Sequence, residues 1–554
     1  MEQKEHFIDY IEQSIIENWD KNALTDYKGI TLQYKDVARK IAKFHIILKN
    51  AGIQPGDKIA VCGRNSAHWA VTFLATITYG AVIVPILHEF KADNIHNIVN
   101  HSEAKLLFVG DQVWENLNEE RMPLLEGIAL LNDFSPLVSR NTQLLHAFEH
   151  RNAIYGQHYP KNFRPEHICY RKDSPEELAV INYTSGTTGY SKGVMLPYRS
   201  LWSNVTYCHE MLHIIPGDRI VSMLPMGHVF GMIYDFLYGF SAGAHIYFLT
   251  RMPSPKIIAH SFSEIKPKII SCVPLIVEKI IKKDILPKVD NKIGKLLLKV
   301  PIISDKIKAS ARQAAMEIFG GNFDEIIIGG APFNEEVETF VRKIGFPYTI
   351  AYGMTECGPI ICSSRWETLK QASCGKVANR MEIRINSSNP QDIAGEIICK
   401  GMNLMLGYYK NPEATSQIID TKGWLHTGDL ATIDKDGYVT VKERIKNMLL
   451  TSSGQNIYPE ELESKLNNMP YISESLVVLQ QDKLVALIYP DFDEAFAHGL
   501  QQADIEKIME ENRRELNLQL PNYCQISKIK IHFEEFEKTA KKSIKRFLYQ
   551  EAKG

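Results

Sequence analysis

The chain has little that would mark it for the outside of a cell or the interior of a membrane. Its nine cysteines, at 62, 169, 208, 272, 357, 362, 374, 399 and 524, include no Cys-x-x-Cys pair. Neither a zinc site nor a disulfide framework is therefore expected, and a reducing cytoplasm fits best. No run approaches the roughly 18 apolar residues of a membrane span, and the start, Met-Glu-Gln-Lys-Glu-His, lacks the apolar core of a signal peptide. An excess of one charge is also missing: 63 basic against 65 acidic side chains leave −2, which offers nucleic acid no global attraction. Internal repeats and low-complexity tracts are absent. What remains is 45% hydrophobic and 23% charged, the composition of a soluble globular protein, over 554 residues, too many for one core. At least two domains are expected.

One stretch concentrates chemistry. Leu178 to Gly193 opens as a short apolar run that reads as a buried strand ending at Tyr183, then breaks into a loop. The loop carries Gly186, Gly189 and Gly193 with the hydroxyls of Thr184, Ser185, Thr187, Thr188 and Ser191, and it closes on Lys192. Glycines let backbone N–H groups converge on an anion, hydroxyls donate to non-bridging oxygens, and the lysine adds a compact positive charge. The spacing is not that of a Walker A loop, because Lys192 is followed by Gly193 and not by Ser or Thr. On its own such a cluster is also what a flexible connection looks like.

Around it, strands and helices alternate. Residues 24 to 34 read as two short strands about Lys28-Gly29, Tyr34 to Asn50 as a helix, Lys58 to Cys62 as a strand, Ala67 to Tyr79 as a helix stopped by Gly80, and Ala81 to Pro85 and Lys105 to Gly110 as strands. That order predicts an α/β fold with mainly parallel sheets covered by helices on both faces. Residues 111 to 176 read as less regular. Ser200 to Leu212 is expected as a helix and Asp218 to Leu224 as a strand leading to His228, whose bland reading is a surface or core histidine. Small residues at Gly239, Ser241, Ala242 and Gly243 would leave room for a chain-shaped ligand, or serve close helix packing. From Lys279 to Arg312, ten Lys or Arg and three Asp interleave with apolar pairs. This segment suits either an anionic membrane surface or a solvated helical face over the core. Beyond Arg444 the pattern turns to a small α+β unit: helices Tyr458 to Asn467 and Ala503 to Asn517, strands Ser475 to Leu479, Leu484 to Tyr489 and Ile526 to Phe533.

Further motifs follow the phosphate loop in order: Ile326 to Pro332, ending Gly329-Gly330-Ala331-Pro332; Ile350 to Gly358, Ile-Ala-Tyr-Gly-Met-Thr-Glu-Cys-Gly; Gly423-Trp424-Leu425-His426-Thr427-Gly428-Asp429; and Arg444-Ile445-Lys446. Together with Tyr183 to Gly193 this series resembles the adenylate-forming superfamily of acyl-CoA synthetases, peptide-synthetase adenylation domains and luciferases. Asn65 to Pro85 and Ile98 to Phe108 resemble its amino-terminal part, so the likeness covers nearly the whole chain. Gly401 to Tyr409 and Gly423 to Asp429 look most like its long-chain fatty acid–CoA ligase branch.

The resemblance implies a large AMP-binding domain over residues 1–443, a small mobile domain over 444–554, and substrates ATP, a fatty acid and CoA with Mg²⁺. Thr184 to Lys192 would hold the β- and γ-phosphates. Thr355 would meet the α-phosphate, Glu356 would bind Mg²⁺, and Thr184 or Thr355 can add a hydroxyl to the metal. Tyr352, with Ala351, Gly353 and Met354 beside it, would face adenine across Gly330, Ala331 and Pro332. Asp429 would accept the ribose hydroxyls, with Arg444 on the other side. His228 would border the acyl pocket, Lys446 would be the hinge, and Thr451 to Ile457, with Ser453 and Gly454, would line the passage for pantetheine.

Three departures stand out: Glu443 where the family usually has Gly, Asn447 where it often has Asp, and a C-terminal Lys538-Thr539-Ala540-Lys541-Lys542-Ser543-Ile544-Lys545-Arg546 in place of Thr-x-x-Gly-Lys-x-x-Arg. Gapless alignment puts Ser543 at the adenylation lysine; a one-residue shift of the loop would make it Lys542. Adenylation for a separate carrier protein, and a non-catalytic acyl or nucleotide binder, remain alternatives. The sequence leaves a homodimer and peripheral membrane contact open.

Overall fold

The computed structural model describes residues 4–184, 191–250, 255–289, 301–450, 456–480, 483–538 and 544–550. Among these, two large sheets dominate. The first runs, edge to edge, Gly407–Tyr408, Lys192–Pro197, Leu178–Thr184, Val82–Ile86, Lys58–Cys62, Ala104–Val109, Gly127–Leu130 and Pro136–Ser139. The second runs from Lys376–Val377 through Ile360–Ser363, Tyr348–Gly353, Glu325–Gly329, Ile269–Cys272, Arg219–Ser222 and His245–Phe248 to Asn22–Asp26 and Thr31–Gln33. Their central strands pair in parallel and their edges antiparallel. This matches the helix-covered, mainly parallel architecture expected from the alternating pattern.

The helix Ala67–Tyr79 shows why the layers hold together. It is apolar almost all round, and every residue from Ala67 to Thr78 is buried, as a helix with neighbours on all sides must be. Ser66 caps its start by accepting the Trp69 N–H, and Gly80 ends it at φ 87, a left-handed value that glycine adopts without strain. The hydroxyls of Thr72, Thr76 and Thr78 cost little in this interior because each donates to a carbonyl four residues back. Trp69 and Phe73 then meet Phe236 edge-on, which joins this helix to the wide-turned helix Gly231–Tyr238.

One sequence expectation is corrected, and one pair of alternatives is decided. Residues 111–176 are not irregular: they contain the strands Gly127–Leu130 and Pro136–Ser139 and a 17-residue helix, Thr142–His158, capped by Asn141. Only Leu144, Ala147 and Phe148 of that helix are buried, so its apolar period is faint among polar and charged neighbours. The small residues at 239–243 serve packing and not a ligand. A Cβ on Gly239 would lie 2.6 Å from Ile220 Cδ1, and one on Gly243 2.6 Å from Asn18 Nδ2. Ser241 is bonded to His209 and to the Tyr238 carbonyl, and Ala242 is buried.

An antiparallel sheet of Met381–Asn386, Gly395–Gly401, Leu425–Ile433 and Val439–Arg444 leads to the C-terminal part. There Ile472–Gln480, Lys483–Pro490 and Lys528–Ile531 form a sheet covered by the helices Pro459–Leu466 and Gln502–Leu518. Its buried apolar residues, from Ile457 to Phe536, cluster among themselves and apart from the N-terminal cores.

Candidate active site

The functional side chains stand at strand ends on one cleft of about 3830 Å³ between the N- and C-terminal parts. Thr184 ends the strand Leu178–Thr184 and lies directly across the hairpin from Lys192, so both ends of the phosphate loop are held together. The middle of that loop, Ser185, Gly186, Thr187, Thr188 and Gly189, lies outside the described residues. Lys192 Nζ sits 4.9 Å over the ring of Tyr408.

The neighbouring parallel strands Glu325–Gly329 and Tyr348–Gly353 bring the next two motifs side by side, Gly329 opposite Ala351. Gly330 turns at φ 89 with open space where a side chain would be, and Ala331 and Pro332 are exposed beside it. That is a surface a planar base can approach closely. Gly353 has a different reason: a Cβ there would lie 2.0 Å from the Pro359 carbonyl oxygen, so only glycine lets the Thr355–Cys357 turn fold back, with the Met354 N–H donating to the same oxygen. Thr355 and Glu356 on this turn are 4% and 9% exposed. The Glu356 carboxylate accepts the Tyr408 hydroxyl at 2.7 Å, and the Glu356 carbonyl accepts the Met405 N–H.

On the third wall Asp429 and Arg444 are paired across two strands, Arg444 Nε lying 3.2 Å from Asp429 Oδ1, and Tyr352 donates its hydroxyl to Asp429 Oδ2 at 2.7 Å. Burial raises the Asp429 carboxyl above its ordinary range, while Arg444 and Tyr352 pull it back. The loop is locked from behind by Glu396, which accepts from His426 Nδ1 at 2.8 Å and from the Gly428 N–H at 3.1 Å. His228 lines the same cleft, its Nδ1 accepting the Phe230 N–H at 3.2 Å. The described residues that the sequence resemblance assigns to adenine, ribose, phosphate and the acyl chain thus line one cleft.

The AMP-binding enzyme model matches residues 11–409. The chain belongs to that family. It is 27% identical to the long-chain-fatty-acid–CoA ligase ACSBG2 of Rattus norvegicus, over 89% of this chain and 76% of the relative. It is 26% identical, over 81% of each chain, to the 3-[(3aS,4S,7aS)-7a-methyl-1,5-dioxo-octahydro-1H-inden-4-yl]propanoyl:CoA ligase of Rhodococcus jostii (strain RHA1). Among solved structures, the o-succinylbenzoate CoA synthetase of Bacillus subtilis with its acyl-adenylate intermediate superposes with a TM-score of 0.74 over 98% of both chains at 19% identity, a likeness of fold. ATP and CoA as substrates fit this AMP-binding family.

Several parts of this AMP-binding enzyme's site were not legible beforehand. The loop Leu224–His228 is held by two buried amides. Asn65 donates to the Leu224 carbonyl and accepts the Met226 N–H, and Asn182 donates to the Gly227 carbonyl. Asn182 alone gave a signal, as the polar residue in an apolar strand. Lys446 is exposed in the turn after Arg444, with the Ile445 N–H bonded back to the Gly428 carbonyl. Glu443, the departure before Arg444, is buried and accepts the backbone N–H of Arg444 and of Glu460. Burial, then the Glu460 charge, push it up to about 8. Ser453, Gly454 and Lys542 lie outside the described residues. Lys538 and Ile544 form an antiparallel bridge, and three cations among the described residues there have partners: Lys538 with Glu474, Lys545 with Glu537 at 2.9 Å, and Arg546 in a forked pair with Glu463. From the basic segment, Lys279, Lys282 and Lys283 line the cleft, and Lys282 reaches across it to Asn468 Oδ1 at 2.6 Å.

Proposed function

We propose that this protein is an ATP-dependent acid–thiol ligase that converts a long-chain fatty acid to its CoA thioester through an acyl-adenylate, releasing AMP and pyrophosphate. The observation that carries the reading is the convergence of the Tyr352–Asp429–Arg444 group with Thr355, Glu356 and Lys192 on one cleft. A carboxylate has no leaving group that a thiol can displace; an acyl-adenylate has AMP. The carboxylate attacks the α-phosphorus and pyrophosphate leaves. Both reactants are anions, so the site must neutralise charge and hold them in line.

Lys192 and the phosphate-loop hydroxyls answer the first need at the triphosphate, and Asp429 the second at the ribose. The donor set also fits Mg²⁺, a hard cation that takes one or two carboxylate or hydroxyl oxygens beside phosphate: Glu356 and Thr184 would hold it, and it would neutralise charge on the departing pyrophosphate. Support for a fatty acid comes from the apolar residues of the cleft's lining, Met223, Leu224, Val229, Leu249, Val273 and Ile276 among them, and from the long-chain ligase among the relatives. The C-terminal part, with its own core, would turn about Lys446 between the two half-reactions, taking the boundary close to Arg444. AMP release measured over a panel of fatty acids, with and without CoA, tests the reading. Thioester formation that needs free CoA supports it, AMP formation with no transfer to CoA points to a carrier protein, and no AMP with any acid points to a binder.

A further inference from the structure

Among the described residues, the proposed adenylation site would bring Lys192 and Glu356 to the triphosphate, and they arrive from elements far apart in the chain. Lys192 begins the strand that returns from the phosphate loop; Glu356 sits on a short turn behind the adenine-facing strand. One segment ties them together. In the run Asn403 to Tyr409, Leu406 N–H bonds the Met195 carbonyl at 2.8 Å and Tyr409 N–H bonds the Gly193 carbonyl at 2.7 Å, so the segment is an edge strand on the Lys192–Pro197 strand. On its other side Met405 N–H bonds the Glu356 carbonyl at 2.8 Å.

Tyr408 stands at the join. Its hydroxyl donates to Glu356 Oε1 at 2.7 Å, and its ring lies under Lys192 Nζ at 4.9 Å. Its own position is fixed by its backbone N–H, which donates to Thr415 Oγ1 at 2.9 Å. Tyr408 is 7% exposed, and a phenol, which ionises only at about pH 10, is a donor to a carboxylate at neutral pH. A buried O–H···O⁻ bond is strong enough to select one carboxylate rotamer, and a cation over a desolvated ring is attracted to its face.

We propose that Tyr408 is a positioning residue for the metal and phosphate groups: its hydroxyl commits Oε1 of Glu356 and so presents Oε2 to a divalent cation, while its ring seats Lys192 beside the triphosphate. This rests on Glu356 being the metal ligand of the adenylation reaction proposed above.

The test is a set of full-length variants, Tyr408→Phe, Tyr408→Leu and Glu356→Gln, in which binding of Mn²⁺ with ATP is followed by electron paramagnetic resonance. Alongside are measured the Mg²⁺ dependence of ATP–pyrophosphate exchange and thioester formation from supplied acyl-adenylate. Tyr408→Phe keeps the ring and loses the bond, so Mn²⁺ affinity should fall about tenfold, exchange should recover at saturating Mg²⁺, and the second half-reaction should be unchanged. Tyr408→Leu should in addition weaken ATP binding, because Lys192 loses its seat. Unchanged Mn²⁺ affinity in Tyr408→Phe with a large loss in Glu356→Gln overturns the role of Tyr408 and leaves the proposed function standing. Unchanged affinity in Glu356→Gln as well removes the metal assignment itself. Equal loss of both half-reactions, or failure of both Tyr408 variants to fold, shows a core residue and overturns the proposal.

Discussion

Replacing Asp429 by Asn separates what that carboxylate does for ATP from what it does for the fold. The side chain is 9% exposed. Arg444, its ion-pair partner at 3.2 Å, is 68% exposed, so the pair returns no more than about 1 kcal/mol. The Tyr352 hydroxyl can donate to an amide oxygen as it does to Oδ2, so that bond survives. What the substitution removes is a buried charge. Because burial holds the folded-state carboxyl above its ordinary 3.8, the folded chain binds more protons than the unfolded one between that value and the folded one, and stability falls as pH rises through this window. The Asn variant escapes that loss. Its melting temperature should equal or exceed that of the wild type at neutral and alkaline pH, with the gain vanishing in acid.

ATP binding should move the other way. A carboxylate facing the 2′- and 3′-hydroxyls makes two charge-assisted bonds, and the amide keeps one acceptor and puts a donor where the other stood. Losing one such bond costs about 1.5–3 kcal/mol, roughly ten- to a hundredfold in kcat/KM for ATP. The assay is pyrophosphate exchange with ATP, 2′-deoxy-ATP and 3′-deoxy-ATP for both proteins. The wild type should lose activity with each deoxynucleotide, and the variant should show almost no further loss with the one whose hydroxyl faced the missing oxygen. Fully additive losses, or an unchanged kcat/KM for ATP, would refute the ribose assignment.

The Glu443 carboxyl, pushed up to about 8 by burial and by Glu460, keeps a proton in the folded state that the unfolded chain gives up near 4.5, so stability should drop as pH rises from about 4.5 to 8. Glu443→Gln should flatten that drop, and melting curves that stay parallel to the wild type between pH 6 and 9 would contradict it. Lys446→Pro fixes φ in the exposed turn after Arg444, and one half-reaction should survive while the other collapses; equal loss of both, measured with supplied acyl-adenylate, would argue against a hinge there. Lys542→Ala should slow acyl-adenylate formation about a hundredfold, on the order of 3 kcal/mol, and spare thioester formation. Normal adenylation in this variant with loss in Lys541→Ala or Lys545→Ala would move the assignment.

How much could be read from the sequence depended on how local each signal is. The helices Tyr34–Asn50 and Ala67–Tyr79 and the strand Lys58–Cys62 lie where the apolar period and the glycine stops put them. Thr142–His158 escaped because it buries so few residues that its period barely shows. The site divides along the same line. Asp429, Tyr352 and Glu356 sit in runs whose composition is itself distinctive, whereas Asn65 and Tyr408 act through bonds to residues 159 and 52 positions away. Neither has a neighbour in the sequence that betrays its partner. At Gly239 and Gly243 the sequence left a ligand channel and close packing equally open, and Ile220 and Asn18 against them decide for packing.

On the proposed function, this cleft transfers AMP to a fatty carboxylate and then hands the acyl group to CoA. The most direct measurement is quantification of AMP and acyl-CoA from the purified chain given ATP, Mg²⁺, CoA and fatty acids of graded length. Equimolar AMP and acyl-CoA, rising with chain length into the long-chain range and lost in Glu356→Gln, is the expected result. AMP without thioester, or no AMP from any acid in the panel, would contradict it.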